Sequence, residues 1–247
     1  MSGNKLIDYY DEDRWGEDIL TKDELFDREK KSLKLIESIG KEKAKFLDIG
    51  SGVGFFMEKL STIKPKYELH GVDYSAYNLK KAKKLPFTFK QCNIEQGIPY
   101  KDSTFDIVYA AELIEHLVNP DYFVEECARL TKKGGHVIIT TPNLCAWYNR
   151  VLVAFGVMPM FYELSTVSPR IGAGPLKGIK QGIIPVGHIR IFTVRALKDL
   201  LESGGFKIVK VKGAHFAALP KAVRWIDDIF TVYPRMSSGI LMMAKKK

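Results

Sequence analysis

The chain has 247 residues, 46% of them apolar, which suits one domain with a single sizeable core and excludes a disordered or fibrous protein. Its three cysteines (Cys92, Cys127 and Cys145) lack metal-ligand spacing and cannot all pair, which excludes a disulfide framework and points to a reducing, cytoplasmic setting. No apolar run follows a basic start, and the longest uncharged apolar stretch, 151–162, contains Pro159, so neither a signal peptide nor a membrane span is expected.

The net charge of +9 is unevenly placed. Residues 1–45 carry 10 basic and 12 acidic side chains, residues 46–143 carry 12 of each, and residues 144–247 carry 16 basic against 5 acidic. A basic surface can serve solubility alone. Concentrated in one part of the chain, it also suits an anionic substrate or an anionic surface.

In chain order, 9–45 reads as one or two helices capping the domain. "AKFLDIG" is a first strand and "FFMEKLSTI" its helix; "YELHGVD" is a second strand, followed by the helix "SAYNLKKAKKL". "FTFKQCN" and "FDIVYAA" are strands three and four, "DYFVEECARLT" a helix, and "GHVIITTP" strand five. "TVRALKDLLESGG" has helical apolar spacing and a glycine stop, and "FKIVKVKGAHF" and "GILMMAK" are the last two strands. Alternating strands and helices predict a mostly parallel sheet. Two segments interrupt the alternation. Residues 144–190 form a long glycine- and proline-rich insertion after strand five, and 217–238 a second, with "LPKAVRWIDDIF" as an amphipathic helix. Both are expected to roof the carboxyl edge of the sheet, where open α/β sheets bind ligands, the first as a lid.

The turn after strand one reads "DIGSGVG". Gly50, Gly52 and Gly54 remove the Cβ atoms that would keep a ligand off the main chain, and the next helix offers unpaired N–H groups at its start. A dinucleotide fingerprint needs glycine or alanine at 55, where this chain has Phe55. Asp48, two places before the first glycine, suits a ligand with a cationic end. Asp73 ends strand two, 23 residues after Gly50, about where a strand-end carboxylate meets ribose hydroxyls. A helix cap is the other role open to it.

These segments, with "FKQCNIEQGIPYKDSTFDIVYAAELIEHLVNP" and "LTKKGGHVIITTPN", give five ordered matches by which the chain resembles the class I S-adenosylmethionine-dependent methyltransferases. The similarity is close over 45–142 and looser beyond, and nearest in flavour to the small-molecule O-methyltransferases of ubiquinone biosynthesis. The resemblance implies a Rossmann-like seven-stranded, mostly parallel sheet with an antiparallel last strand, helices on both faces and N-terminal cap helices. It also implies S-adenosylmethionine as cofactor, leaving as S-adenosylhomocysteine, on Asp48, Gly50, Ser51, Gly52, Gly54, Asp73, Tyr74, Asn93, Ile94, Ala111 and Glu112. The adenine position usually held by Asp is Asn93 here. A single domain is expected, divided into a cap (1–44), a cofactor-binding core (45–143), the lid (144–190) and a C-terminal part (191–247).

Deprotonating a hydroxyl acceptor calls for a base, and histidine suits that work near neutral pH. His116, after strand four, and His188, at the end of the first insertion, are the candidates, with Glu115 placed to pair with a lysine. His70, His136 and His215 sit in or at strands and read as structural. Arg190, Arg170 and Tyr162 are the candidates for binding the acceptor, and no metal site is expected. The acceptor implied is a small, anionic molecule with a hydroxyl, such as a sugar, a carboxylate or a lipid-linked precursor; contact with a membrane periphery is compatible with the basic and apolar C-terminal part. A nucleic-acid methyltransferase is the alternative, disfavoured because strand four runs into "AELI" rather than an N/D-P-P-Y/F tetrad and no Pro-Cys dipeptide exists. A non-catalytic cofactor-binding module is the other alternative.

Overall fold

Strand β1 (Lys45–Ile49) buries its last four residues, as a continuous apolar run does when both faces of a sheet are covered. The computed structural model describes residues 25–177, 185, 187–216, 219 and 221–247. Helix α1 (Asp27–Ser38) precedes β1; the rest of the expected N-terminal cap, 1–24, lies outside the described residues. After β1 come α2 (Phe55–Ile63), β2 (Glu68–Asp73), α3 (Ala76–Ala82), β3 (Thr88–Gln91), β4 (Phe105–Ala111), α4 (Pro120–Leu130) and β5 (Thr131–Pro142). Then follow α5 (Trp147–Ala154), α6 (Val194–Ser203), β6 (Phe206–Ala214), α7 (Lys221–Phe230) and β7 (Gly239–Lys246).

The seven strands lie in the order β3-β2-β1-β4-β5-β7-β6. All pairs from β3 to β5 are parallel, and β7 runs antiparallel between β5 and β6. The expected sheet is therefore present, its strand ends shifted by a residue or two in most cases, and two of the shifts have a visible cause. Strand β3 is shorter than "FTFKQCN", because Asn93 turns away to cap a short 3-10 helix with its side chain. Strand β5 begins at Thr131 rather than Gly135, because Gly134, at φ 74°, lets the chain bend within the strand.

Alternate residues of the strands go to opposite faces. Leu47 and Ile49 join Val108, Phe123, Cys127 and Leu201 in one core, while Phe46 joins Met57, Leu60, Tyr109 and Ile36 of α1 in the other. Helix starts carry their own signals: Asn119 accepts from the Tyr122 amide before Pro120, Thr193 from that of Ala196 and Ser75 from that of Asn78. The cap of α3 is thus Ser75, and the carboxylate of Asp73 is turned to other work.

The two insertions pack on one another. Ala146, Tyr148 and Leu219 form a third small core with Trp147, Phe161 and Phe216. Buried polar groups tie it to the sheet: Asn143 donates to the carbonyls of Pro234 and Ser237, and the fully buried Asp227 accepts from the Trp147 indole at 2.9 Å. Within the first insertion, Gly178 and Gly182 lie outside the described residues.

Candidate functional site

Strand order reverses between β1 and β4, and open α/β sheets bind ligands at the carboxyl ends on either side of such a reversal. A cavity of about 210 Å³ opens there. The turn after β1 (Gly50, Ser51, Gly52, Val53) and the end of β4 (Ala111, Glu112) line it, with Asp48 inside and Arg28 and Glu29 from α1 across from them. Gly50, Gly52 and Gly54 all have positive φ, at 77°, 53° and 84°. Nothing lies within 4 Å of where a Cβ on Gly52 would stand, so the main chain is open to a ligand at that point. A Cβ on Gly54 would meet Leu85 and Phe89 at 2.8 and 2.9 Å, so this third glycine serves packing against β3.

Asp73 holds the turn from behind. Its Oδ2 accepts from the Gly52 amide at 2.7 Å and its Oδ1 from the Ser75 amide at 2.9 Å. Burial raises its pKa against these hydrogen bonds. Replacing Asp73 by alanine should therefore weaken cofactor binding by ~1–3 kcal/mol, the scale of a lost charged hydrogen-bond partner. Calorimetry would show it, and an unchanged affinity would remove Asp73 from the site.

Three carboxylates and one guanidinium meet in the cavity. Asp48 is 3% exposed, and burial, with Asp73 and Glu29 nearby, pushes its carboxyl up to about 8. Glu29 is also raised, by burial, with Arg28 opposing. Burial works against the charge of Arg28, yet Glu112 and Glu29 outweigh it and raise that pKa. Arg28 Nε and Ser51 Oγ are buried without a hydrogen-bond partner among the described residues. A bare strip of main chain, a buried guanidinium with an unused donor, an unused hydroxyl and a carboxyl held neutral fit an amino-acid end carrying both an ammonium and a carboxylate. Arg28 and Glu29 were missed from sequence: as two charges in a highly charged helix, they carry no local signal.

The expected adenine side is more self-contained. Asn93 Oδ1 already accepts from the Glu95 amide at 3.0 Å, Ile94 is buried in the core, and the Tyr74 carbonyl accepts from Gln91.

His116 and His188, which the sequence leaves as alternatives, stand together with ring centroids 4.7 Å apart. His188 Nδ1 lies 3.0 Å from the Phe161 carbonyl and His116 Nδ1 lies 3.3 Å from that of Gly187, so both rings present Nε2 as the basic nitrogen. Burial, then the neighbouring His188, pulls His116 down to about 4, and burial lowers His188. Both are neutral at neutral pH, as a base must be. Glu115 pairs with no lysine among the described residues. Its Oε2 accepts from Thr141 Oγ1 at 3.0 Å, and its Oε1, buried and unpartnered among the described residues, faces His188 Nε2 at 3.9 Å. Burial, then Glu112, raises Glu115. Donor atoms of Glu115, His116 and His188 all lie within 4.8 Å of one another. Two imidazoles, each anchored through Nδ1 to a carbonyl, and a carboxylate make a donor set that can hold a divalent cation, a capacity the sequence spacing had not suggested. Glu112, at φ 50° and bonded to Thr140, lines the cavity and also acts electrostatically on Glu115 and His188.

Among the acceptor-binding candidates, Arg190 is exposed and donates to the Val118 carbonyl at 2.7 Å, Arg170 is exposed, and Tyr162 is half-buried; none lines the cavity. His70 bonds Glu68 and Tyr100, and His215 pairs with Asp228, in keeping with structural roles. The three cysteines are free. Among the described residues no helix is long and apolar enough to cross a membrane.

Residues 47–139 match the family described as "Methyltransferase domain". Residues 47–139 are therefore similar to a methyltransferase domain, set in the Rossmann-like fold that S-adenosylmethionine-dependent methyltransferases share, and S-adenosylmethionine is the cofactor that this family and fold imply. Among curated relatives, "Ubiquinone biosynthesis O-methyltransferase" of Proteus mirabilis is 31% identical over 124 residues, 47% of this chain and 50% of the relative. The mitochondrial "Ubiquinone biosynthesis O-methyltransferase" of Mus musculus is 31% identical over 196 residues, 74% of this chain and 47% of the relative. The chain thus spans about half the length of the curated relatives it matches. A solved methyltransferase structure from Methanosarcina mazei superposes with a TM-score of 0.60 at 16% identity, over 86% of this chain and 96% of that one, and shares the fold.

Proposed function

We propose that this protein transfers a methyl group from S-adenosylmethionine to a hydroxyl of a small, anionic acceptor. The observation that carries the reading is the pair of neutral, carbonyl-anchored histidines beside a cavity suited to an amino-acid end. The names of the relatives agree with O-methylation. Bound, the cofactor supplies a methyl on a positively charged sulfur, open to in-line displacement.

The chain's own groups would do the rest. Arg28 would hold the carboxylate of the amino-acid end, Asp48 and Glu29 its ammonium, and Gly52 the close main-chain contact. Asp73 keeps that turn in place and would take the ribose hydroxyls, with Tyr74, Asn93 and Ile94 beside the adenine. His188 or His116 would accept the hydroxyl proton at Nε2, with Glu115 Oε1 facing His188 Nε2 from 3.9 Å. The two insertions, packed as one unit, would roof the acceptor and exclude water, which supplies much of the rate in a displacement of this kind. The basic balance of 144–247 favours an anion as acceptor. Incubating the protein with radiolabelled S-adenosylmethionine and hydroxylated carboxylates, sugars and prenyl-linked phenols tests the reading. Label appearing only on carbon or nitrogen, in products resolved by NMR, would sink the hydroxyl assignment.

A further inference from the structure

Val118 lies outside every strand and helix, just after the 3-10 turn Ile114–His116, and its side chain is 56% exposed. Two side chains from elsewhere in the fold take up its peptide groups. Glu95 Oε1 accepts from the Val118 amide at 2.6 Å and from the Asn119 amide at 3.0 Å. On the other side, Arg190 Nη2 donates to the Val118 carbonyl at 2.7 Å. Each partner belongs to a different half of the site. Glu95 stands two residues after Asn93, on the side expected to carry adenine, and its own amide donates to Asn93 Oδ1 at 3.0 Å. Arg190 stands two residues after His188, and the amides of Ile189 and Arg190 donate to the Glu115 carbonyl at 3.0 and 2.9 Å. Hydrogen bonds and short spans of chain thus lead from Asn93 through Glu95, the Val118 peptide and Arg190 to His188.

Capping of α4 does not account for Glu95. That helix has its own cap in Asn119, which accepts from the Tyr122 amide, with Pro120 in the first turn. The loop that follows β3 is also fastened separately. Arg129 donates to the carbonyls of Ile98 and Tyr100, and Glu126 accepts from the Ile98 amide. Those bonds hold the loop to the far end of α4. Glu95 makes the contact at the near end, where the histidines stand, and a charged acceptor holds an amide more firmly than a neutral one.

We propose that Glu95 is a positioning residue that couples the adenine side of the cofactor site to the histidine pair, gripping the Val118 peptide opposite Arg190. A ligand that orders Asn93 also orders Glu95, and through it the turn on which Glu115 and His116 are mounted. The base is then set in place by the cofactor before the acceptor arrives. The effect on turnover rests on the roles proposed for Asn93 and the histidines; the coupling itself is read without methyl transfer.

Hydrogen exchange at single amides, followed by NMR with saturating S-adenosylhomocysteine and no acceptor, is the first test. The ligand should slow the Val118 and Asn119 amides about 10-fold or more in the parent, and less than about twofold in Glu95→Ala. The melting temperature should not change, since Glu95 is exposed. On the acceptor, Glu95→Ala should lower kcat about 10-fold while the KM for S-adenosylmethionine changes less than about threefold. Glu95→Gln, whose side-chain oxygen still accepts, should recover most of the loss. With both histidines replaced by alanine, Glu95→Ala should lower kcat no further, because a residue that acts through others has nothing left to position. Equal slowing in the parent and in Glu95→Ala overturns the coupling, whether or not a hydroxyl is methylated. Unequal slowing in a protein that methylates carbon or nitrogen upholds the coupling and removes only the base. A further loss of kcat without the histidines, or a Glu95→Gln variant as slow as Glu95→Ala, overturns the positioning role.

Discussion

Replacing His116 and His188 by alanine, singly and together, should lower turnover on the true acceptor about 10²–10⁴-fold for whichever ring takes the proton, while calorimetric affinity for the cofactor stays the same. The separation is expected because neither ring lines the cavity, yet His188 feels the charge of Glu112, which does, and His116 touches His188. The rings are in contact, so the double variant should cost little more than the worse single one; groups acting as a unit are not additive. Near-full activity in both single variants would end the case for histidine as the base. A chelator separates the two roles open to the cluster. If activity falls to the variants' level on chelation and returns with an added divalent cation, Glu115, His116 and His188 act as ligands rather than as a bare base.

Arg28→Ala should weaken cofactor binding by ~2–5 kcal/mol, because it removes the cation on which Glu29 and Glu112 depend and strands a carboxylate of the ligand. Arg28→Lys should recover part of this, keeping the charge but losing the planar fork. The same titration reads Asp48. Its carboxyl, pushed up to about 8 by burial and by the carboxylates nearby, is mostly protonated at pH 7. A cationic ligand end favours the ionised form, so binding below pH 8 should release a proton, and affinity should rise as pH climbs toward 8. Calorimetry in two buffers of different ionisation enthalpy measures that release directly. Wild-type affinity in Arg28→Ala would remove α1 from the site, and binding without proton release at pH 7 would show that Asp48 is not the group that meets the cation.

Much of this molecule is legible along the chain because the physics there is local. Apolar runs bounded by turns give the strands and glycines with no Cβ give the ligand turn, whereas the cap of α3 falls to Ser75 rather than to Asp73. Asp48, Gly50, Gly52 and Glu112 reach the cavity because the ends of parallel strands share one edge, which alternating strands and helices already dictate. Side-chain partnership across the fold is not written that way. Arg28 and Glu29 enter the cavity only because α1 packs its apolar stripe against the sheet, more than twenty residues from the glycine turn. His116 and His188 lie 72 positions apart and become one cluster because the main-chain amides of Ile189 and Arg190 donate to the Glu115 carbonyl. Glu115, open to a surface lysine in the sequence, is instead sealed beneath them. The sheet, the glycine turn and the resemblance they carry can be read along the chain, since period, spacing and turn chemistry act over a few residues. Which charges share the cavity, and that the two histidines are neighbours, follow only from the fold, because burial and contact between distant segments set both.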